Sequence, residues 1–302
     1  MTPGLLGIEP LDRAEIEAIL TRAKDFQPLQ DPSFKRLDVL RGKMIVNLFF
    51  EASTRTRTSF EIAAKRLGAD AVSITAAGSS VSKGESLVDT LNTLAAMRPN
   101  AIVMRHAASG APHFLARYLP TPIINAGDGT HEHPTQALLD ARTILDHRPT
   151  LEGMRIAIIG DIAHSRVARS NVYLLSKFGV DIVLCGPPTL LPPELARIAP
   201  GVRLTYDIRD AIAGADVIMM LRVQLERQHE AAFPASEYFQ NYGLRLEHLS
   251  LADPDVIVMH PGPINRGREI ASEVADSQRS VILNQVENGV AVRMAVLERI
   301  LG

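Results

Sequence analysis

The chain has 302 residues and a mass of 32.9 kDa, which is more than one hydrophobic core normally organises, so two domains are expected. Apolar residues make up 46% of it and charged residues 22%, the proportions of a folded globular protein rather than a disordered or fibrous one. Its 32 basic and 34 acidic side chains leave a net charge of -2, which argues against a nucleic-acid-binding surface.

The single cysteine, Cys185, excludes a disulfide within the chain and a site built from several thiolates. It lies in an apolar segment, where a buried and inert thiol is expected. The N-terminal residues lack the basic start of a signal peptide, and no apolar run approaches the roughly 18 residues that span a bilayer. We therefore expect a cytoplasmic protein that binds neither membranes nor nucleic acid.

Along the chain, helical patterns alternate with short apolar segments. Asp12 and Glu15 have the spacing of a capping box that opens the first helix. Further helices are predicted over 59–67, from near Gly84, over Pro134–His147 and along an apolar series in the last residues. The segments rich in β-branched and apolar residues predict buried strands at 44–50, 101–104, 122–125, 155–159, 180–185, 216–221 and 256–259.

This alternation predicts an α/β protein with two parallel-sheet domains and a cleft between them. The helix at 134–147 is followed by a turn and a new strand, so we place the boundary there. The first domain is expected at 1–133, with a C-terminal helix at 286–302 that packs back on it, and the second at 134–285. The charged segment from 222 to about 236 is expected to be an active-site loop or a surface excursion.

Polar residues follow six of the predicted strands. Ligands of open parallel sheets bind at the carboxyl ends of strands, so these segments are the candidate site. They begin at Glu51, Arg105, Ala126, Gly160, Arg222 and His260.

The first of these segments has the composition of a phosphate site. Ser53, Thr54, Arg55, Thr56 and Arg57 stand where a strand turns into a helix, so backbone N–H groups, hydroxyls and a guanidinium can meet one anion. The segment lacks the glycines and lysine of a P-loop. The alternative is a hydroxyl-rich helix cap with solvated arginines.

A histidine precedes the helix at 134–147. His133 lies at the positive end of that helix, which favours a neutral imidazole that donates to a carbonyl, and Gln136 follows one turn on. The alternative is a capping histidine. The neighbouring His131 and Glu132 raise the question of a metal, but their spacing is not that of a zinc site, so none is expected.

In the second half, the segment that begins at Gly160 lacks the second glycine of a dinucleotide-binding motif, so a nicotinamide cofactor is disfavoured. Arg166 and Arg222 are suited to bidentate binding of carboxylates, with surface salt bridges as the alternative. The small-residue loop that contains Lys83 is either mobile and functional or merely exposed to solvent.

The segment Phe-Glu-Ala-Ser-Thr-Arg-Thr-Arg-Thr-Ser-Phe from Phe50 to Phe60, with His-Pro-Thr-Gln from His133, resembles the carbamoyltransferase family over essentially the whole chain. The segments 82–85, 222–224 and 260–263 are similar to the members that use aspartate, whereas ornithine enzymes carry a cysteine-bearing motif at the last place. The resemblance implies transfer of a carbamoyl group from carbamoyl phosphate to L-aspartate, giving N-carbamoyl-L-aspartate and phosphate, in de novo pyrimidine biosynthesis.

The resemblance also implies roles for individual residues. The phosphate of carbamoyl phosphate would be held by Ser53, Thr54, Arg55 and Thr56. The carbonyl oxygen would be polarised by Thr56, Arg105 and His133. The carbamoyl amino group would meet Gln136 and the backbone carbonyls of Gly262 and Pro263. The residues expected to be catalytic are Arg55, Thr56, Arg105, His133 and Gln136.

The implied aspartate site consists of Lys83, Arg166, Arg222 and Gln224. Ser79 and Lys83 would reach it from the adjacent chain of a homotrimer with shared active sites, and the family also allows a larger assembly with regulatory or dihydroorotase-like chains. No cofactor is implied, and a cis peptide is expected at Gly262–Pro263.

Two other functions stay open: an ornithine or other amino-acid carbamoyltransferase, and an inactive homologue that serves as a scaffold. The intact Arg55, Arg105 and His133 argue against the scaffold.

Overall fold

The computed structural model describes residues 4–28, 31, 36–75, 86–223 and 235–302. The chain divides into two compact units, one comprising Met1–Arg142 with Val286–Gly302 and the other Thr143–Gln285. Each unit contains one parallel sheet flanked by helices, which confirms the predicted α/β class with two parallel-sheet domains. The predicted boundary between residues 133 and 134 separates two domains by the substrate that each would bind. The division into compact units does not test substrate binding, so this boundary stays a prediction.

The first unit holds a four-stranded sheet in the order β2-β1-β3-β4, with every pair of neighbours parallel. Strand β1 is central and buried, which agrees with its continuous apolar sequence. The elements are α1 (Arg13–Phe26), β1 (Met44–Phe49), α2 (Thr54–Arg66), β2 (Asp70–Thr75), α3 (Leu87–Ala96), β3 (Ala101–His106), α4 (Ala111–Leu115), β4 (Ile123–Asp128) and α5 (Pro134–His147).

The second unit holds a five-stranded parallel sheet in the order β7-β6-β5-β8-β9. The strands of its core are buried, and Cys185 at the end of β6 is a buried free thiol, as predicted. The elements are β5 (Arg155–Ile159), α6 (Arg166–Ser176), β6 (Asp181–Cys185), β7 (Val202–Thr205), α7 (Ile208–Ile212), β8 (Val217–Met220), α8 (Ala235–Tyr242), β9 (Ile257–Met259), α9 (Ser272–Ala275) and α10 (Ile282–Leu301).

All seven predicted strands are present, and the structure adds β2 and β7 at the sheet edges. The helix expected over 59–67 begins earlier, at Thr54, because the polar residues of its first turn show no apolar periodicity. The closing helix likewise begins at Ile282 rather than at 286. The predicted capping box of Asp12 and Glu15 is confirmed at the start of α1.

The C-terminal helix α10 packs back on the first unit, as predicted. Gln27 donates to the side chain of Asn288 at 2.6 Å, and Arg22 binds Glu298 through two nitrogens, with Nη2 2.8 Å from Oε1. Arg299 also pairs with a residue of α1, Glu15. Among the described residues, no helix combines the length and apolar character that crossing a membrane requires.

Candidate active site

Helix α2 begins directly beyond the carboxyl end of β1. Ser53 is its N-cap in an extended conformation, and within residues 36–75 its side chain makes no capping hydrogen bond to the first turn. That turn contains no acidic residue. The N–H groups of a first turn lack helical carbonyl partners and carry the positive end of the helix dipole. The start of α2 is therefore suited to receive an anion.

The side chains of this turn divide between solvent and protein. Thr54 and Arg55 are exposed, whereas Thr56 is 6% exposed and its carbonyl accepts a hydrogen bond from the Ser59 hydroxyl at 3.0 Å. Arg57 lies with Nε 4.0 Å from the carboxylate of Glu61 on the next turn. Arg55 thus lies on the solvent side of the helix start.

Arg105 is the penultimate residue of the neighbouring strand β3 and is held from both sides. Its Nε lies 3.4 Å from Oε2 of Glu51, which follows β1, and its Nη1 donates to the carbonyl of Ala126 in β4 at 3.3 Å. Its backbone is the register partner of Phe49 in β1, and its side chain is only 12% exposed. Arg105 is thus fixed between the ends of the two strands that flank β3.

The loop between β4 and α5 is organised by the buried Asp128. Its carboxylate accepts hydrogen bonds from the backbone of Gly110 at 2.6 Å, the amide of Asn125 at 2.8 Å and the backbone of Glu132 at 3.1 Å. Burial alone would raise the pKa of Asp128, but hydrogen bonds from His131, Asn125 and Gly110 lower it below the usual value. The hydrogen bond to Asp128 in turn raises the pKa of His131.

His113, Asp128 and His131 bring possible metal-ligating atoms within 4.8 Å of one another. Both oxygens of Asp128 already accept N–H groups of the protein, so a cation would have to displace these donors. The hydrogen bonds of Asp128 therefore hold the loop between β4 and α5 in its conformation. Glu132, the other acid considered from the sequence, accepts from the backbone of Ile8 at 2.8 Å and of Glu9 at 3.2 Å, so it anchors the N-terminal segment.

His133 and Gln136 stand at the start of α5, which begins at Pro134 as predicted. His133 is buried, and its carbonyl accepts from the backbone of Gln136 at 2.9 Å. The Gln136 side chain is 8% exposed and donates to Asp140 one turn on. Because β1, β3 and β4 are neighbours, the residues that follow them gather at one edge of the first sheet.

In the second unit, Arg166 is the first residue of α6 and is buried. Its helix is capped by Ser165, whose hydroxyl accepts from the backbone of Ala168 at 3.1 Å. Arg222 follows β8 and is half-buried. Strands β5 and β8 are neighbours, so Arg166 and Arg222 both follow strands that end at the same edge of this sheet. The predicted site residues Ser79, Lys83 and Gln224 lie outside the described residues.

Beyond β9, the loop with Gly262 and Pro263 contains the expected cis peptide. Nδ1 of His260 accepts from the backbone of Gly262 at 2.8 Å, and its Nε2 lies 3.3 Å from Oε1 of Glu269. Both side chains of this pair are fully buried. Sequence reasoning missed Glu269, because a carboxylate nine residues from its partner gives no periodic or motif signal.

These features define a class of two-domain α/β proteins that carry cationic and hydroxyl side chains beyond the carboxyl ends of their strands. Residues 4–146 match the model of the aspartate/ornithine carbamoyltransferase carbamoyl-P binding domain, and residues 152–300 match that of the Asp/Orn binding domain. The chain belongs to the aspartate/ornithine carbamoyltransferase family.

Individual relatives agree over the full length. An aspartate carbamoyltransferase catalytic subunit from Solibacter usitatus is 83% identical over 302 residues, which are 100% of both chains. Aspartate transcarbamoylase from Trypanosoma cruzi, solved in complex with carbamoyl phosphate and aspartate, is 32% identical with a TM-score of 0.91, covering 100% of this chain and 97% of that one. Ornithine carbamoyltransferase from Pyrococcus furiosus is 31% identical with a TM-score of 0.90 and the same coverage. The fold alone therefore does not separate the two acceptors.

Proposed function

We propose that this protein transfers the carbamoyl group of carbamoyl phosphate to the amino group of L-aspartate, giving N-carbamoyl-L-aspartate and phosphate in pyrimidine biosynthesis. The observation that carries the proposal is the gathering of the α2 start, Arg105 and the His133 loop beyond three adjacent strands of the first sheet. The high identity to an aspartate carbamoyltransferase catalytic subunit supports aspartate as the acceptor.

The start of α2 binds the phosphate group of carbamoyl phosphate. Ser53 and Thr54 offer hydroxyls there, and the exposed Arg55 offers a guanidinium that can bind two phosphate oxygens at once. Backbone N–H groups of the first turn add donors that need no reorganisation. The absence of acidic residues from this turn keeps its potential positive.

Catalysis depends on hydrogen-bond donors that point to the atoms on which negative charge develops in the transition state. Attack of the aspartate amine on the carbamoyl carbon places negative charge on the carbonyl oxygen, which Thr56, Arg105 and His133 stabilise by hydrogen bonds. The charge then moves to the departing phosphate at the start of α2. Such preplaced donors favour the transition state over the bound substrates. Holding both substrates in line supplies a further large share of the acceleration.

The amino group of carbamoyl phosphate donates its hydrogen bonds to three acceptors of the protein. These are the side-chain oxygen of Gln136 and the backbone carbonyls of Gly262 and Pro263. The two carboxylates of aspartate bind Arg166 and Arg222, helped by Gln224 and Lys83. Bidentate guanidinium pairing is the geometry that suits a dicarboxylate.

The active protein is a homotrimer in which Ser79 and Lys83 complete the site of the adjacent chain. Regulatory or dihydroorotase-like chains are candidates for a larger assembly. A cytoplasmic location suits a chain whose single thiol, Cys185, is buried and unpaired. The resemblance of the loop at 79–85 to the family supports the homotrimer with shared sites.

A side-by-side assay tests the acceptor. The protein is incubated with carbamoyl phosphate and either aspartate or ornithine, and both phosphate and the carbamoylated amino acid are measured. We expect carbamoylaspartate and no citrulline. Citrulline as the main product would show that ornithine and not aspartate is the acceptor. If neither phosphate nor a carbamoylated amino acid forms above the uncatalysed background, the inactive scaffold is supported.

A further inference from the structure

The side chain of Gln136 is fixed by a carboxylate one helical turn away. Its Nε2 donates to Oδ1 of Asp140 at 2.9 Å. Both residues lie on α5 with the i, i+4 spacing that brings side chains together on a helix. Gln136 is 8% exposed and Asp140 is fully buried, so solvent does not compete for this hydrogen bond.

The chemistry of the pair sets the direction of the Gln136 amide. A carboxylate only accepts hydrogen bonds, whereas an amide has a donor end and an acceptor end. The nitrogen must therefore face Asp140, which leaves the carbonyl oxygen for a ligand that donates. An asparagine at position 140 would offer both a donor and an acceptor, so both orientations of the Gln136 amide would become possible.

A buried cation lies close enough to Asp140 for their charges to interact. Arg293 on α10 is buried, and its guanidinium and the Asp140 carboxylate attract each other. Burial lowers the pKa of Arg293 to about 10, so the side chain still carries its proton at neutral pH. Its Nη1 donates to the carbonyl of Gly289 at 2.9 Å, and its guanidinium carbon lies 5.2 Å from the ring centre of Phe60 on α2. The cation is thus tied to the helix that starts at the proposed phosphate site.

We propose that Asp140 is a positioning residue that turns the Gln136 amide so that its carbonyl oxygen receives the amino group of the substrate. The site thereby selects a carbamoyl group over an acyl group of the same size. This inference rests on the proposed function, since it assigns the group that Gln136 recognises in the same site.

The test compares three probes that share a phosphate group. Carbamoyl phosphate carries an amino donor, acetyl phosphate carries a methyl group at that place, and inorganic phosphate carries neither. Dissociation constants are measured by titration calorimetry for the wild type, Asp140→Asn, Gln136→Ala and the double variant. The preference for carbamoyl over acetyl phosphate isolates the contact with the amino group.

We expect Asp140→Asn to lower that preference by about 5–10-fold, the equivalent of one hydrogen bond, while inorganic phosphate binds within about twofold of the wild type. In the Gln136→Ala background, Asp140→Asn should change the preference no further, because the two residues act as a unit. Asp146→Asn, at an exposed position on the same helix, is the matched control and should leave all three constants unchanged.

Retention of the wild-type preference in Asp140→Asn would overturn the inference, as would equal effects of this change with and without Gln136. If Asp140→Asn does not fold, Asp140→Ser offers a smaller side chain whose hydroxyl both donates and accepts, so both orientations of the Gln136 amide again become possible. An unchanged preference in that variant would also overturn the inference. A wild type that makes carbamoylaspartate while only the variants behave unexpectedly leaves the proposed function standing. A wild type that does not prefer carbamoyl phosphate would remove both.

Discussion

Arg105 and Glu51 form an ion pair that joins the ends of two neighbouring strands, with Nε 3.4 Å from Oε2. Glu51 follows β1 and Arg105 is the penultimate residue of β3, so the pair fixes a cation close to the point where both strands stop. The same guanidinium donates to Ala126 in β4. A ligand arriving beside α2 therefore meets a guanidinium whose direction is set before binding.

We expect Glu51→Gln to lower kcat by about tenfold, because Arg105 keeps its charge but loses the partner that orients it. Arg105→Ala should lower kcat further, by ~10²–10³, since the donor itself is gone. Steady-state assays of phosphate release measure both. Glu17→Gln makes the same chemical change in an exposed pair on α1 and should leave kcat unaltered. Full activity in Glu51→Gln would show that the pair does not orient Arg105.

Arg55→Ala should abolish measurable turnover without unfolding the protein, because Arg55 is exposed and its removal leaves no interior cavity. Inorganic phosphate should bind more weakly, while the melting temperature stays close to that of the wild type. Arg13→Ala serves as control, since Arg13 is also an exposed arginine in the first turn of a helix. Near-normal rates in Arg55→Ala would rule out the proposed phosphate site.

Mixing two inactive variants tests the shared site. Lys83→Ala and His133→Ala should each be inactive alone, whereas mixed oligomers should recover part of the activity, because some sites then combine an intact Lys83 with an intact His133. Activity is measured after chain exchange, which differently tagged subunits verify by native electrophoresis. Verified exchange with no recovered activity would contradict a site built from two chains.

The Asp128–His131 pair predicts a pH-dependent contribution to stability. The pKa of His131 is raised by its hydrogen bond to Asp128, opposed by burial, and nearby Glu132 and Glu9 raise it further. His113 lies beside it, with a pKa lowered by burial and by the charge of His131. The stabilisation from His131 is complete below its ordinary pKa of 6.5 and is lost as pH rises through the raised value.

The contribution of Asp128 is present above the ordinary carboxyl pKa and is lost as pH falls through its lowered value. We therefore expect His131→Gln to reduce the free energy of unfolding most at about pH 5–6 and least near about pH 9. Urea unfolding across this range measures the difference. A difference that grows toward alkaline pH would mean that the pair is not ionic in the folded protein.

Glu132→Gln should lower the free energy of unfolding by about 1–2 kcal/mol, because two backbone N–H groups of the N-terminal segment lose a buried charged acceptor. Urea unfolding at neutral pH gives this value. In the exposed control Glu17→Gln the loss should stay within about 0.5 kcal/mol. Equal effects in the two variants would show that Glu132 does not anchor the segment.

The strands that sequence analysis predicted are those buried on both faces, whose continuous apolar runs are unambiguous. Strands β2 and β7 escaped because they are partly exposed, so their sequences Asp-Ala-Val-Ser-Ile-Thr and Val-Arg-Leu-Thr mix polar and apolar residues. The first turn of α2 escaped for a related reason, since its residues are polar and show no apolar periodicity.

The candidate site residues that form short motifs were predictable, because consecutive polar residues after an apolar strand are visible in the sequence. The residues that support them were not. Glu269 lies beside a partner that only the fold brings close, and Arg293 is a buried charge where composition favours a surface position. Their roles depend on three-dimensional neighbours, for which the sequence carries no local signal.

Helix α10 begins in the second unit, where Gln285 accepts a hydrogen bond from the backbone of His260. The rest of the helix belongs to the first unit, where the charges of Arg293 and Asp140 attract each other. During synthesis on the ribosome, the nascent first unit therefore lacks part of its interior until the entire second unit has been made. The interior of the first unit can therefore be completed only after the whole second unit has been synthesised.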